Sequence, residues 1–279
     1  MSEQKQSSKT ALGTAFIRAM STFEPDNGIR GADDLAILFL SDARQKKLQN
    51  EHYRDVVKHM IGGTYEYVMA RTRYFDALFT DALNNEIEQI VILGAGYDTR
   101  AYRFRDKLMR TSVFEVDAPF TQTVKLEKLK KAGIPHGHVR FVAVDFEKED
   151  LKERLSAGGY KNDVKALFIW EGVSLYLTPG AVDSTLDHLR SLCCAGSVLC
   201  FDYFNSHPDS FRKIIKKDEL IHFGMYSAEM DEYLCDKGFS AIEEIGPDEL
   251  QRRFLVCSDG SPFGTTKNKM NIVRSIRGV

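Results

Sequence analysis

Several features are missing from this chain of 279 residues, and each absence narrows the reading. It has no excess of charge: 38 Lys and Arg stand against 40 Asp and Glu, a net of −2. No basic balance addresses it to nucleic acid or to an anionic membrane. No long apolar run is present, so no membrane-spanning helix is expected. The polar start, MSEQKQSSKT, lacks the apolar segment of a secretion signal. Cysteines are few and odd in number: Cys193, Cys194, Cys200, Cys235 and Cys257. None has metal-ligand or redox-pair spacing. They read as reduced structural thiols, and the protein as cytoplasmic. The seven histidines are scattered with no metal-binding spacing, so no metal is expected. There are no repeats, low-complexity tracts or linkers, which implies a single domain. What the chain has is a hydrophobic share of 43%, enough for a sizeable core.

The most informative stretch runs from Gln89 to Arg103. Ile90 to Leu93 reads as a buried strand and leads straight into Gly94-Ala95-Gly96. Two glycines after a strand let the backbone turn tightly and approach a ligand closely. About twenty residues on, Val113-Phe114-Glu115-Val116 ends in Asp117. Strand, Gly-x-Gly, helix, strand and acid make the layout of a nucleoside site in a doubly wound sheet, with the acid suited to a ribose diol. A dinucleotide site wants a third glycine where Thr99 stands. Asp98 beside it would face phosphates unfavourably but suits a ligand that carries a cation. The pattern therefore leans towards the methyl donor S-adenosylmethionine and away from a nicotinamide coenzyme. An NAD(P)-dependent oxidoreductase and a non-catalytic cofactor-binding protein stay open as alternatives.

Residues 1–88 read as a helical cap: one helix over 10–20, a break at Pro25-Asp26-Asn27-Gly28, a short helix over 32–39, and one or two long helices over 52–83 with a break at Gly62-Gly63. Residues 89–204 read as the α/β core, with strands at 89–94, 112–117, 139–144, 165–170 and 197–204 and helices at 99–109, 119–132, 147–157 and 179–193. Strands alternating with helices imply a parallel sheet with right-handed crossovers. Residues 205–238 read as a mostly helical insertion that serves as a lid, and 239–279 as two final strands at 239–244 and 271–276. Phe204, His207, Phe211, Phe223, Met225 and Tyr226 make the insertion aromatic, and simple packing onto the sheet is the plainer account of them.

Four segments in order resemble a known family. They are Gly94-Ala95-Gly96-Tyr97-Asp98-Thr99-Arg100, Phe114-Glu115-Val116-Asp117, Val144-Asp145-Phe146, and Glu171-Gly172-Val173-Ser174-Leu175-Tyr176-Leu177. They are similar to the successive motifs of the leucine carboxyl methyltransferase-type family, which belongs to the class I S-adenosylmethionine-dependent methyltransferases. The resemblance spans about residues 8–204. It implies a Rossmann-like, mostly parallel seven-stranded sheet with helices on both faces and a helical lid. It also implies transfer of a methyl group from S-adenosyl-L-methionine, leaving S-adenosyl-L-homocysteine.

The resemblance also implies roles. Gly94, Ala95 and Gly96 would pass under the methionine part of the cofactor. Asp117 would accept from the ribose, with a solvated strand end or a helix cap before Ala118-Pro119 as the alternative. Asp145 and Phe146 would meet the adenine, unless Asp145 caps a helix from Glu147. Arg71 would pair with the cofactor carboxylate, with Arg73 as its rival. Glu171 would face the cofactor ammonium or the acceptor, because an unpaired carboxylate after a buried strand is costly. Tyr176 could line the acceptor pocket. Glu171 and Tyr176 are the candidate catalytic residues. Arg100 and Arg103 read as structural, flanking the cofactor helix or pairing with Glu115. The expected acceptor is a carboxylate or hydroxyl, on a small molecule or a peptide C-terminus.

Overall fold

The computed structural model describes residues 9–207, 221–266 and 268–278. Seven strands form one sheet: β1 (Gln89–Leu93), β2 (Ser112–Asp117), β3 (Val139–Ala143), β4 (Ala166–Trp170), β5 (Val198–Phe204), β6 (Phe239–Ile245) and β7 (Met270–Arg277). Their spatial order is β3-β2-β1-β4-β5-β7-β6. β1 to β5 run parallel, and β7 lies antiparallel to both β5 and β6. All five residues of β1 and of β4 are buried, as expected of parallel strands covered on both faces. That double cover is why they read in the sequence as continuous apolar runs.

Alternation splits the core in two. Ile90 and Ile92 point to one face, where they meet Phe75, Phe79 and Ile169. Val91 and Leu93 point to the other, among Phe114, Trp170 and Leu186. The first face is covered by α1 (Lys9–Ser21) and α4 (Thr64–Asn84), the second by α7 (Leu151–Ala157) and α8 (Pro179–Leu192). Between β1 and β4 the chain changes direction across the sheet, because β1 pairs with β2 on one side and β4 on the other. Such a reversal opens a crevice at the carboxyl ends of the strands. Among the described residues no helix is long and apolar enough to cross a membrane.

Several boundaries differ from the sequence expectation. The region 32–39 holds only a 3-10 turn, Ala36–Phe39, and a further helix, α2 (Asp42–Leu48), follows it, capped by Ser41. The break expected at Gly62-Gly63 is present, dividing α3 (Glu51–Met60) from α4, and Gly63 takes a positive φ of 86°. The helix over 99–109 is only the single turn α5 (Arg100–Arg103) and a 3-10 turn, Arg105–Lys107. α6 (Pro119–Lys131) matches closely. α7 starts at Leu151 and not at 147, because Asp150 supplies the cap by accepting from the Glu153 N–H at 3.0 Å.

The insertion is not mostly helical where it is described. Residues 221–226 are non-helical, and the N–H groups of His222 and Phe223 both donate to the Leu175 carbonyl, at 2.8 and 3.2 Å. Only α9 (Ser227–Asp236) is helix. Phe223 and Met225 are buried in the second core, in line with simple packing. Phe211 and the rest of 208–220 lie outside the described residues. One more helix, α10 (Pro247–Phe254), follows β6 and places Leu250, with Leu255 just past its end, in the first core. Its surface charge, with apolar positions few and spaced, hid it from a periodicity reading.

Candidate active site

The crevice at the strand ends is a cleft of about 660 Å³. Its floor is the loop after β1. Gly94 and Gly96 both take positive φ, 64° and 46°, a region that L side chains rarely adopt. The Ala95 N–H donates to the Val116 carbonyl at 2.9 Å and the Asp98 N–H to the Ala95 carbonyl at 2.7 Å, so the turn is tied to β2 and to itself. The two glycines differ. A Cβ on Gly94 would stand 2.3 Å from Val173 Cγ2, so Gly94 is needed for packing. A Cβ on Gly96 would point towards Ala11 of α1, at 3.2 Å, across the edge of the cleft.

Asp117 ends β2 with its carboxylate over this floor. One oxygen accepts from the Gly96 N–H, the other from the Ala118 N–H at 2.6 Å. Burial pushes its carboxyl above the ordinary value, against the lowering effect of those two donors. Asp145 lies further along the wall beside Phe146. It caps no helix. It closes a local turn by accepting from the Glu147 N–H at 3.1 Å and pairs with Lys148 at 2.7 Å. The hydrogen bond from Lys148 holds its carboxyl below the usual range.

Glu171, just past β4, lies in a buried ionic lattice. Its Oε1 is 3.0 Å from Arg71 Nε and its Oε2 is 2.8 Å from Arg100 Nη1. Arg71 also meets Asp202 at 2.9 Å, and Arg100 meets Asp98 at 2.5 Å and Asp76 at 2.8 Å. Arg103 joins through Asp76 at 2.7 Å and Asp33 at 3.6 Å, and Arg18 through Asp33 at 2.8 Å. Burial works against the charge on Arg71, but Asp202 and then Glu171 more than restore it, and its pKa lies above the ordinary arginine value. Four guanidiniums and five carboxylates make up this lattice, which leaves one negative charge in excess. A buried excess of that sign favours a ligand that brings a cation.

The structure therefore brings Arg71, Gly94, Ala95, Gly96, Asp117, Asp145, Phe146, Glu171 and Tyr176 to one cleft. Arg73 is not among them. It faces away and donates to the carbonyls of Gly28 and Arg30, at 2.7 and 3.1 Å. Of the two alternatives for Arg100 and Arg103, pairing with Glu115 is not the one found; they lie on α5 and pair with Asp76, Asp98, Glu171 and Asp33. Glu115 is taken by Lys125 at 2.6 Å, both side chains 1% exposed. The reason is alternation: Glu115 points from β2 towards α6, and the two arginines point from α5 towards α4. Asp98 is not a bare negative charge either, because Arg100 neutralises it.

The sequence reading missed Asp202, Arg18 and His222. Asp202 did leave a signal, a carboxylate inside the apolar strand Val198–Phe204. Arg18 and His222 line the cleft from α1 and from the segment before α9, and nothing in their local sequence marks them.

The sequence pattern of the leucine carboxyl methyltransferase family matches residues 11–190. The chain belongs to that family. A relative from Mycobacterium avium (strain 104), named "Putative S-adenosyl-L-methionine-dependent methyltransferase", is 34% identical over 224 residues, covering 76% of this chain and 69% of its own. A protein of the same description from Rhodococcus jostii (strain RHA1) is 34% identical over 208 residues, 73% of this chain and 68% of its own. Among solved structures, magnesium protoporphyrin IX methyltransferase from Synechocystis PCC 6803 with bound SAH is similar in fold, with a TM-score of 0.51 at 11% identity, over 85% of this chain and all of that one. The enzyme is thus an S-adenosylmethionine-dependent methyltransferase with the class I sheet. The nicotinamide alternative falls with that membership.

Proposed function

We propose that this family member transfers the methyl group of S-adenosylmethionine to an oxygen, a carboxylate or hydroxyl carried by a small molecule or a peptide C-terminus. The cofactor fits the residues present. The cleft has the size of a small-molecule site. The anionic excess of the lattice matches a ligand with a sulfonium and an ammonium. Asp117 would hold the ribose, Asp145 and Phe146 the adenine, and Arg71 the carboxylate of the amino acid arm. When bound, the cofactor supplies an electrophilic methyl carbon.

What carries the oxygen reading is the state of Glu171. Both of its oxygens are held by arginines, so the carboxylate at the end of β4 is already engaged by two cationic donors. Its part is to orient Arg71 and Arg100 and to keep the site anionic towards the cofactor. An acceptor that is already ionised, or that ionises easily, needs no base from this position. The chain's contribution is then positioning and exclusion of water. Tyr176, in the 3-10 turn Ser174–Tyr176, lines the cleft mouth where an acceptor enters.

The test uses S-adenosylmethionine with a tritiated methyl group and a panel of carboxylic acids, phenols and amines. A methyl ester releases volatile methanol in mild alkali, and an aryl ether stays soluble and labelled. Label found only on amine nitrogen refutes the oxygen reading.

A further inference from the structure

Asp202 has no exposed surface, although it carries a charge in the middle of a central strand. Both of its oxygens are engaged. Oδ2 accepts from Arg71 Nη1 and from the Tyr67 hydroxyl, each at 2.9 Å, and Oδ1 accepts from the Gly172 N–H at 2.5 Å. The Ser174 hydroxyl donates to its backbone carbonyl at 2.6 Å. One buried carboxylate thereby ties α4 to the loop after β4, the two walls that flank Glu171.

The same group restricts where the Arg71 guanidinium can lie. Gly172 has a φ of 69°, and a Cβ there would stand 3.1 Å from both Arg71 Nη1 and Nη2. The guanidinium is packed against bare backbone on that side. The Tyr67 ring lies beneath it, 5.3 Å from the ring centroid. Glu171 alone would leave the planar fork free to swing about its Nε contact. A second carboxylate at Nη1 fixes the plane, because arginine donors have set directions.

We propose that Asp202 is a positioning residue for the cofactor: it sets the Arg71 guanidinium where the carboxylate of the cofactor's amino acid arm meets it. This rests on the assignment of that carboxylate to Arg71. The residue touches no ligand itself and acts through Arg71 and the Gly172 N–H. Its effect is therefore confined to ligands that have the amino acid arm.

The experiment is calorimetric binding of two ligands. S-adenosylhomocysteine has the arm, and 5′-methylthioadenosine keeps the nucleoside and sulfur without it. In Asp202→Asn, affinity for S-adenosylhomocysteine is expected to fall about 10- to 100-fold, the scale for charge-assisted hydrogen bonds, with methylthioadenosine changed less than about 2-fold. Arg71→Gln serves as the reference and is expected to show the same selective loss. If Arg71→Gln is selective and Asp202→Asn weakens both ligands equally, or neither, the positioning role is overturned and the Arg71 assignment stands. If Arg71→Gln itself shows no selectivity, the Arg71 assignment fails and the proposal falls with it. Should Asp202→Asn not fold, Asp202→Glu replaces it. That variant keeps the charge and displaces it by one methylene, so the same selective loss is expected, and equal or absent loss overturns the role.

Discussion

Gly94 offers the sharpest test of how the floor of the cleft is built. Replacing it by alanine adds one methyl at a backbone φ of 64°, with its Cβ 2.3 Å from Val173 Cγ2, 3.1 Å from Cγ1 and 3.2 Å from Cβ. Two costs follow. The left-handed backbone conformation costs a non-glycine residue about 1–2 kcal/mol. Val173 is stiff about χ1 and must shift, an overpacking cost of about 1–3 kcal/mol. Gly94→Ala should therefore lose about 2–5 kcal/mol, or roughly 5–15 °C in Tm for a chain of this size. Val173→Ala removes both Cγ atoms and with them the hard contacts. In the double variant the backbone strain and the single 3.2 Å contact with the Cβ of residue 173 should remain, so the loss attributable to Gly94→Ala should shrink to about 1–2 kcal/mol. Urea unfolding of the four proteins in the cycle measures this. A coupling below about 0.5 kcal/mol would refute the claim that Val173 is what excludes a side chain at position 94.

Three further outcomes are expected. Asp117→Ala should weaken S-adenosylmethionine binding by about 1–3 kcal/mol, and in the unaltered protein affinity should decline as pH falls through an Asp117 pKa raised above the ordinary 3.8; calorimetry that shows no change in a folded variant removes the ribose assignment. Burial pushes the Glu115 carboxyl up to about 7 against the pull of Lys125, so the native state holds the extra proton and this group's contribution to stability falls as pH rises from 4.5 towards 7. Lys125→Met should then cost about 3–5 kcal/mol above that range and less below it, with Glu115→Leu added to it restoring stability; equal loss on both sides would contradict the pairing. Finally, S-adenosylhomocysteine should slow deuterium exchange at residues 9–14, of which Lys9, Thr10, Ala11 and Thr14 line the cleft, and leave β1 and β4 unchanged. Past that first turn α1 is anchored in the core, because Ala15 and Met20 are fully buried and Arg18 is paired with Asp33. Equal exchange with and without ligand at 9–14 means that this turn does not close over the cofactor.

The sequence by itself determined the sheet and the floor of the site. β1 and β4 could be read because parallel strands buried on both faces become unbroken apolar runs, whereas the edge strands β3 and β6 are partly exposed and show only short apolar segments broken by polar positions. The Gly-x-Gly turn and Asp117 could be read because the spacing from one strand tip to the next is set by a single crossover. Helix limits were less legible where a polar cap decides them, as at Asp150, or where the element is one turn long, as at Arg100–Arg103. The tertiary structure alone decided the electrostatics. Arg71 meets Glu171 and Asp202 across 100 and 131 positions of chain, and Arg100 meets Asp76 across 24. No local pattern encodes such pairs. They arise because the chain reverses between β1 and β4 and brings α4, α5 and two strand ends to one point, where buried charges must find partners in each other.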